Sequence, residues 1–334
     1  MNGLNAAKPS CEEIVFDRRS LLLALVPAAV YVLLYWVLNV TRATSIGFAI
    51  LDAQAFGDVA AAEAHYRYLW VSAFLLSCAV SLAVAVNCAF SLWASTPPRE
   101  RRFIFTVLAA IAVLFIAIES VPGIPGQERW YAEMGEGLYR SIFGRLPARP
   151  DGDALLRLLD VGLDLTKAFG AVALVLITTA LIVTLAQNAS ATTPERRAEQ
   201  FARALARQRT YLQQGTAVYV FALIAMLSWM YWPMPFFADE ATRVAYRQLI
   251  VGTAVLHGVT YSLGIAAIYL PPAVLLYCRI ASLAGEAAGP REGASDWLRD
   301  NGLAMQPLDQ LRQIAAMLLP AFVSVLPAIS DLWK

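Results

Sequence analysis

Charge is scarce in this chain. Asp, Glu, Lys and Arg make up 15% of the 334 residues, against about 25% in ordinary soluble domains. The net charge is +1 and no long block of like charge occurs, so nothing points to a nucleic-acid partner. Histidine is rarer still, with His65 and His257 alone. The four cysteines, Cys11, Cys78, Cys88 and Cys278, show neither CxxC nor Cys/His spacing. Zinc ribbons and thioredoxin-like redox centres are thereby excluded, and no metal or cofactor is expected. Neither GxSxG, HExxH nor a Walker sequence occurs.

What is abundant is apolar. Hydrophobic residues make up 59% of the chain, gathered in blocks near the ~20 residues that cross a bilayer as a helix. Six blocks read as spans: 20–40, 69–94, 103–121, 168–187, 216–237 and 250–270. Each must be helical, because hydrocarbon offers no partner for unpaired backbone groups. Barrel strands would alternate and be about half as long. The expectation is an all-α, polytopic transmembrane bundle of about six spans, with amphipathic helices on both faces. The acid-bearing segment 1–19 is read as cytoplasmic, and 20–40 as a retained span rather than a signal peptide.

A seventh run, IAAMLLPAFVSVLPAI at 314–329, is short and contains Pro320 and Pro327. Each proline removes a backbone donor. The run is expected to be a broken amphipathic or re-entrant helix, within a Pro-broken helix 311–333 of a cytoplasmic C-terminal segment 284–334. Pro271-Pro272 is expected to end or kink span six.

Between spans four and five stands TPERRAEQFARALARQRTYLQQG. Thr193 suits the cap, Pro194 the first turn, and Glu195 the positive helix start. Ala198, Phe201, Ala202, Leu205 and Leu212 follow at helical spacing. The result is an amphipathic helix, 194–213, feeding straight into span five. Its arginines cannot enter hydrocarbon, so they mark the cytoplasmic side. STPPRERRF at 95–103 and Asp17-Arg18-Arg19 agree if the N-terminus is inside. Arg196, Arg197, Phe201, Arg203, Leu205 and Arg207 are the expected cytoplasmic regulatory face. The two T-P…E-R-R linkers echo one another, through duplication or through capping and charge arising twice.

Trp70, Trp229, Tyr231 and Trp232 fall near the outer border of their spans, and Trp93 and Tyr277 near the inner one, where aromatic belts form. In the outer loop 122–167, Trp130, Met134, Leu138 and Ile142 make an apolar stripe. The run 154–167 is helical in pattern and leads into span four.

Three groups of residues are candidates for chemistry. His257 and Tyr261, four apart in span six, share a helix face, and with Asn87 of span two they form a candidate ligand or proton path. An interhelical hydrogen bond is the alternative role for the histidine. Ser77, Ser81, Ala85 and Ala89 in span two, and Gly258, Ser262 and Ala266 in span six, are small-residue stripes suited to close packing within one chain or in a homo-oligomer. Asp160 and Asp164, downstream of Asp151 and Asp153, stand at a spacing that can hold Mg²⁺. DGDALLRLLDVGLD resembles the aspartate motif of CDP-alcohol phosphotransferases in its spaced aspartates. It lacks that family's aspartate pair before the glycine and its Ala-Arg, and its gap is shorter.

No Asp, Glu, Lys or Arg lies in the middle of any of the six spans, which argues against an ion-coupled carrier. The expected class is a non-enzymatic, multi-pass protein of a bacterial inner membrane, the arginine-over-lysine bias hinting at a GC-rich genome. It would act through helical-bundle assembly: forming or gating a permeability path, disrupting the membrane as an effector, or anchoring a partner. The alternatives are a small-molecule permease and a lipid-modifying enzyme. The lipid bilayer, a homo-oligomer and a cytoplasmic protein are the expected partners.

Overall fold

The computed structural model describes residues 14–15, 23, 26, 30, 50–51, 55, 57–96, 100–102, 104–106, 108–109, 138, 142, 152–188, 193–288, 293–304 and 306–332. Most of expected spans one and three, and Trp130 and Met134, lie outside these residues.

The described chain is almost entirely helical. Its helices are α1 (Ala60–Ser95), α2 (Gly152–Val183), α3 (Pro194–Tyr231), α4 (Glu240–Ala288), α5 (Ala294–Asp300) and α6 (Pro307–Leu332). A short 3-10 turn follows α3 at Met234–Phe236. Two residues of β1 (Ile14–Val15) pair antiparallel with β2 (Gln187–Asn188). Five helical segments are long and apolar enough to cross a membrane: Ala60–Ser95, Val161–Val183, Pro194–Phe236, Glu240–Ala288 and Pro307–Pro327. Four overlap expected spans two, four, five and six. The fifth is the C-terminal run.

That fifth segment corrects the expectation of a proline-broken helix. α6 runs through Pro320 and Pro327 without interruption. It packs lengthwise on α3 and α4 as a member of the bundle. Asp309 near its start meets Arg209 of α3, and Ser324 near its end meets Gly258 of α4. α4 likewise continues through Pro271 and Pro272 to Ala288. Apolar burial against neighbouring helices outweighs one lost donor per proline, as in other transmembrane helices.

α3 forms as its sequence dictates. The Thr193 hydroxyl accepts from the Arg196 amide at 3.4 Å, Pro194 occupies the first turn, and Glu195 faces the positive helix start. The helix then runs 38 residues through the arginine-rich stretch and expected span five. At about 1.5 Å per residue this is roughly 57 Å of unbroken rod. α3 packs against α1, α2, α4 and α6. The end of the bundle where α1 and α2 finish and α3 begins is called here the arginine end; the opposite end is the tryptophan end.

Each region of the core has its own residues. At the tryptophan end Trp70, Phe74, Trp229, Trp232, Phe236, Phe237 and Tyr246 cluster with Leu138 and Ile142. Trp70 and Trp232 stack at 5.4 Å. Trp70, Trp229 and Trp232 were expected on an interfacial belt, yet they are buried. Met234, Phe236 and Phe237 of the turn after α3 pack against them, and the Trp232 indole N–H donates to Glu63 Oε1 at 2.8 Å. Trp93, by contrast, is exposed at the arginine end, with Arg101 over its ring at 4.1 Å.

In the middle, Cys88 and Leu92 meet Ile177, Leu181, Leu212, Ile265 and Tyr269. At the arginine end Phe201 and Leu205 pack on Leu276, Ile280, Leu283 and Leu303. Leu303 is placed by a turn that ends α5. Gly302 takes φ +68°, its amide donates to Arg299 O, and the Leu303 amide donates to Leu298 O at 2.8 Å.

Candidate functional site

The interior of the bundle holds a seam of uncharged polar side chains, most of it contributed by α3. Gln208 is fully buried, and its Nε2 donates to Thr184 Oγ1 at 2.9 Å. One turn on, the Tyr211 and Ser91 hydroxyls lie 2.6 Å apart. Cys88 Sγ stands 3.5 Å from Gln214 Oε1. Thr216 Oγ1 donates to Ala316 O at 3.0 Å. Tyr219 then packs on Tyr261, ring centroids 4.8 Å apart. These contacts tie α3 in turn to α2, α1, α6 and α4. In hydrocarbon such interhelical bonds contribute about 0.6–2 kcal/mol each.

The seam continues into the expected pair on α4. Tyr261 meets His257 edge-on at 5.9 Å. His257 is buried, and its Nδ1 lies 2.9 Å from Thr253 O, one turn earlier in the same helix. The His257–Tyr261 pairing expected from the i, i+4 spacing is thus present. Asn87 is not part of it. Asn87 lies on the exposed face of α1, on the same helix as the exposed residues Leu82, Val86 and Phe90. Helix phase explains this: Val84, Ala85 and Cys88 face inward on α1, and position 87 points away from them.

The small-residue stripes are consumed within the chain. Ser77, Ser81 and Ala85 are buried on α1. Gly258 and Ser262 face α6, where the Ser262 hydroxyl accepts from the Ala321 amide at 3.2 Å. A Cβ on Gly258 would lie 2.4 Å from Ser324 Cβ and 2.7 Å from Pro320 O. This is a backbone-to-backbone crossing of the kind small residues permit.

The arginine face is two-sided. Phe201 and Leu205 are buried, while Arg196, Arg197, Arg203 and Arg207 are exposed. Arg197 reaches Glu286 of α4 at 3.5 Å, and Arg203 pairs with Glu199. The apolar stripe is therefore docked inside the same chain, on α4 and the segment around α5.

The other candidates separate. Asp164 is 67% exposed and pairs with Lys167 at 3.7 Å, while the side chain of Asp160 lies outside the described residues. His65 is exposed on α1, far along the chain from His257. Among the described residues no three His, Cys, Asp or Glu side chains gather to hold a metal. A void of about 10 Å³ sits among Tyr211, Tyr219, Tyr269 and their aliphatic neighbours, about one water in size. Asp239 begins α4 outside the spans. It accepts from the Thr242 amide at 2.7 Å and the Thr242 hydroxyl at 2.8 Å. Those bonds hold its carboxyl below the ordinary aspartate range.

Sequence reasoning found His257 and Tyr261 but missed Gln208, Tyr211, Gln214 and Tyr219. Their signal was present as polar residues on one helix, entering the apolar part of α3 at spacings of three, three and five. The chain matches no protein-family model, no curated protein and no solved structure.

Proposed function

We propose that this chain is a non-enzymatic integral protein of a bacterial inner membrane, with its N-terminus and the arginine end in the cytoplasm. It works through its helical bundle as a permeability-forming or gating component, and the arginine end receives the input. The observation that carries this reading is the continuity of α3. One rod bears five arginines outside the apolar zone and the polar seam inside it. It touches four other helices, so a push or a bound partner at Arg196–Arg209 is transmitted to each of those four. Among Tyr211, Tyr219 and Tyr269 the interior is packed around a void of about 10 Å³. A conducting path through that point requires helices to separate.

A small-molecule permease is the second reading. It is favoured by His257, Tyr261 and Tyr219, a buried group able to hydrogen-bond an uncharged ligand. A lipid-modifying enzyme has less support, since Asp164 is a solvated residue paired along its own helix.

The test is induced expression with a membrane-potential dye. Wild type is expected to depolarise the membrane. Phe201→Asp is expected to insert normally and abolish the response, because it undocks the arginine end and leaves the spans untouched. No depolarisation by wild type, or full depolarisation by Phe201→Asp, refutes the proposal. Cysteines placed at Ser95 and Ala206 should resist an impermeant maleimide in intact spheroplasts, and one at Gly137 should label. The reversed pattern refutes the orientation.

A further inference from the structure

Where α6 begins, three helices bring together a group of polar side chains that the seam does not use. Arg209 of α3 reaches Asp309 of α6, Nη2 to Oδ2, at 3.0 Å. Arg312, one turn further along α6, lies 3.8 Å from the other oxygen of the same carboxylate. Two guanidinium groups share one carboxylate, so the cluster retains a positive charge. It also retains a donor. Arg209 Nε is buried and has no hydrogen-bond acceptor, while the Gln313 side chain and the Tyr277 hydroxyl of α4 pair with one another beside it. Leaving buried donors unmatched is costly, about 1–3 kcal/mol each, and guanidinium groups fit phosphate oxygens closely.

The surroundings identify the source of the phosphate. On α6 the residues flanking Arg312 are apolar and outward-facing: Leu308 is 56% exposed, Leu311 64% and Ile314 49%. Leu318, Phe322 and Val325 continue that exposed face along the helix. Arg209 stands seven residues before the apolar stretch that starts at Thr216, roughly 10 Å along the helix axis. That is headgroup depth for a helix whose next turns lie in hydrocarbon. A free anion would need only the charged group. An anionic phospholipid can fill both halves, with its phosphate on the arginines and its acyl chains along Leu311, Ile314 and Leu318.

We infer that Arg209 and Arg312 bind the phosphate of an anionic phospholipid in the leaflet at the arginine end, with Asp309 holding the two arginines in place. The site lies where α3 and α6 meet, so an occupied site braces these two helices. It rests on the chain being membrane-embedded, and it does not depend on whether the chain conducts.

The test uses delipidated, full-length protein in neutral detergent, with thermal unfolding and native mass spectrometry as readouts. Phosphatidylglycerol is expected to raise Tm by several degrees and to appear as a bound adduct, while phosphatidylcholine and inorganic phosphate do neither. Arg312→Gln removes an exposed side chain and should fold normally, yet it should lose both effects. The pair Arg209→Gln with Asp309→Asn leaves only the exposed Arg312 without its carboxylate and should lose them too. Arg203→Gln, equally cationic but elsewhere on α3, should keep them. Stabilisation by inorganic phosphate equal to that by phosphatidylglycerol overturns the lipid assignment in favour of a free-phosphate site. Equal effects of phosphatidylcholine, equal losses in Arg203→Gln, or no effect of any lipid on wild type overturn the site altogether.

Discussion

The same substitution, glycine to alanine, should have opposite signs at two places on α4. At Gly258 an added Cβ would stand 2.2 Å from Ser324 Oγ, 2.4 Å from Ser324 Cβ and 2.7 Å from Pro320 O. The hydroxyl can rotate away, but the Cβ and the backbone oxygen cannot. Regaining ordinary contact at 3.4 Å requires α6 to retreat by about 1 Å. Overpacking of this kind costs about 1–3 kcal/mol, and the retreat also lengthens the 3.2 Å bond from the Ala321 amide to the Ser262 hydroxyl. At Gly252 nothing lies within 4 Å of the new Cβ. Alanine there should stabilise the helix by roughly 0.5–1 kcal/mol, by lowering backbone entropy in the unfolded chain. Thermal unfolding in detergent reads both, at roughly 2–4 °C per kcal/mol for 150–250 residues and less for a longer chain. Gly258→Ala should lower Tm and Gly252→Ala should leave it unchanged or raise it. Adding Ser324→Gly to Gly258→Ala removes two of the three clashes and should restore part of the loss, a coupling that a double-mutant cycle measures. If Gly258→Ala is as harmless as Gly252→Ala, α6 does not cross α4 at this point and the packing described for the C-terminal helix is wrong.

Two further outcomes follow from polar groups at the tryptophan end. Glu63→Ala leaves the Trp232 indole N–H buried without its acceptor and should cost about 1–3 kcal/mol, whereas Glu63→Gln keeps an acceptor and should recover most of it; equal Tm values for the two variants would dismiss the bond. Asp239, whose carboxyl is held below its ordinary value by the Thr242 amide and hydroxyl, supports α4 at pH values above the usual aspartate pKa of about 3.9. That support should be lost as the pH falls through the depressed value, and Asp239→Asn should flatten this acid limb of the stability profile while still capping the helix. An unchanged acid limb would show that the cap is not linked to folding.

Much of this molecule is a consequence of composition and local pattern. The helices overlapping expected spans two, four, five and six form because apolar runs of that length have no other way to satisfy their backbone. The start of α3 follows from Thr193, Pro194 and Glu195, whose roles depend only on neighbours within one turn. His257 and Tyr261 were found because a spacing of four residues is itself a contact on a helix. What lies between helices was not legible, because a single helix does not state its rotation or its partners. Helix phase, set by which face finds a complementary surface, sent Asn87 outward and drew Trp70, Trp229 and Trp232 inward. Pro320 and Pro327 read as breaks when α6 is considered alone. They do not break it: the surfaces of α3 and α4, with Thr216, Ser262 and Gly258 at matching heights, hold the helix in register across Pro320 and up to Ser324, and the helix continues through Pro327. The gathering of Arg209, Asp309, Arg312 and Tyr277 needed residues 100 apart along the chain to be brought together, and only the packing of three helices decides that.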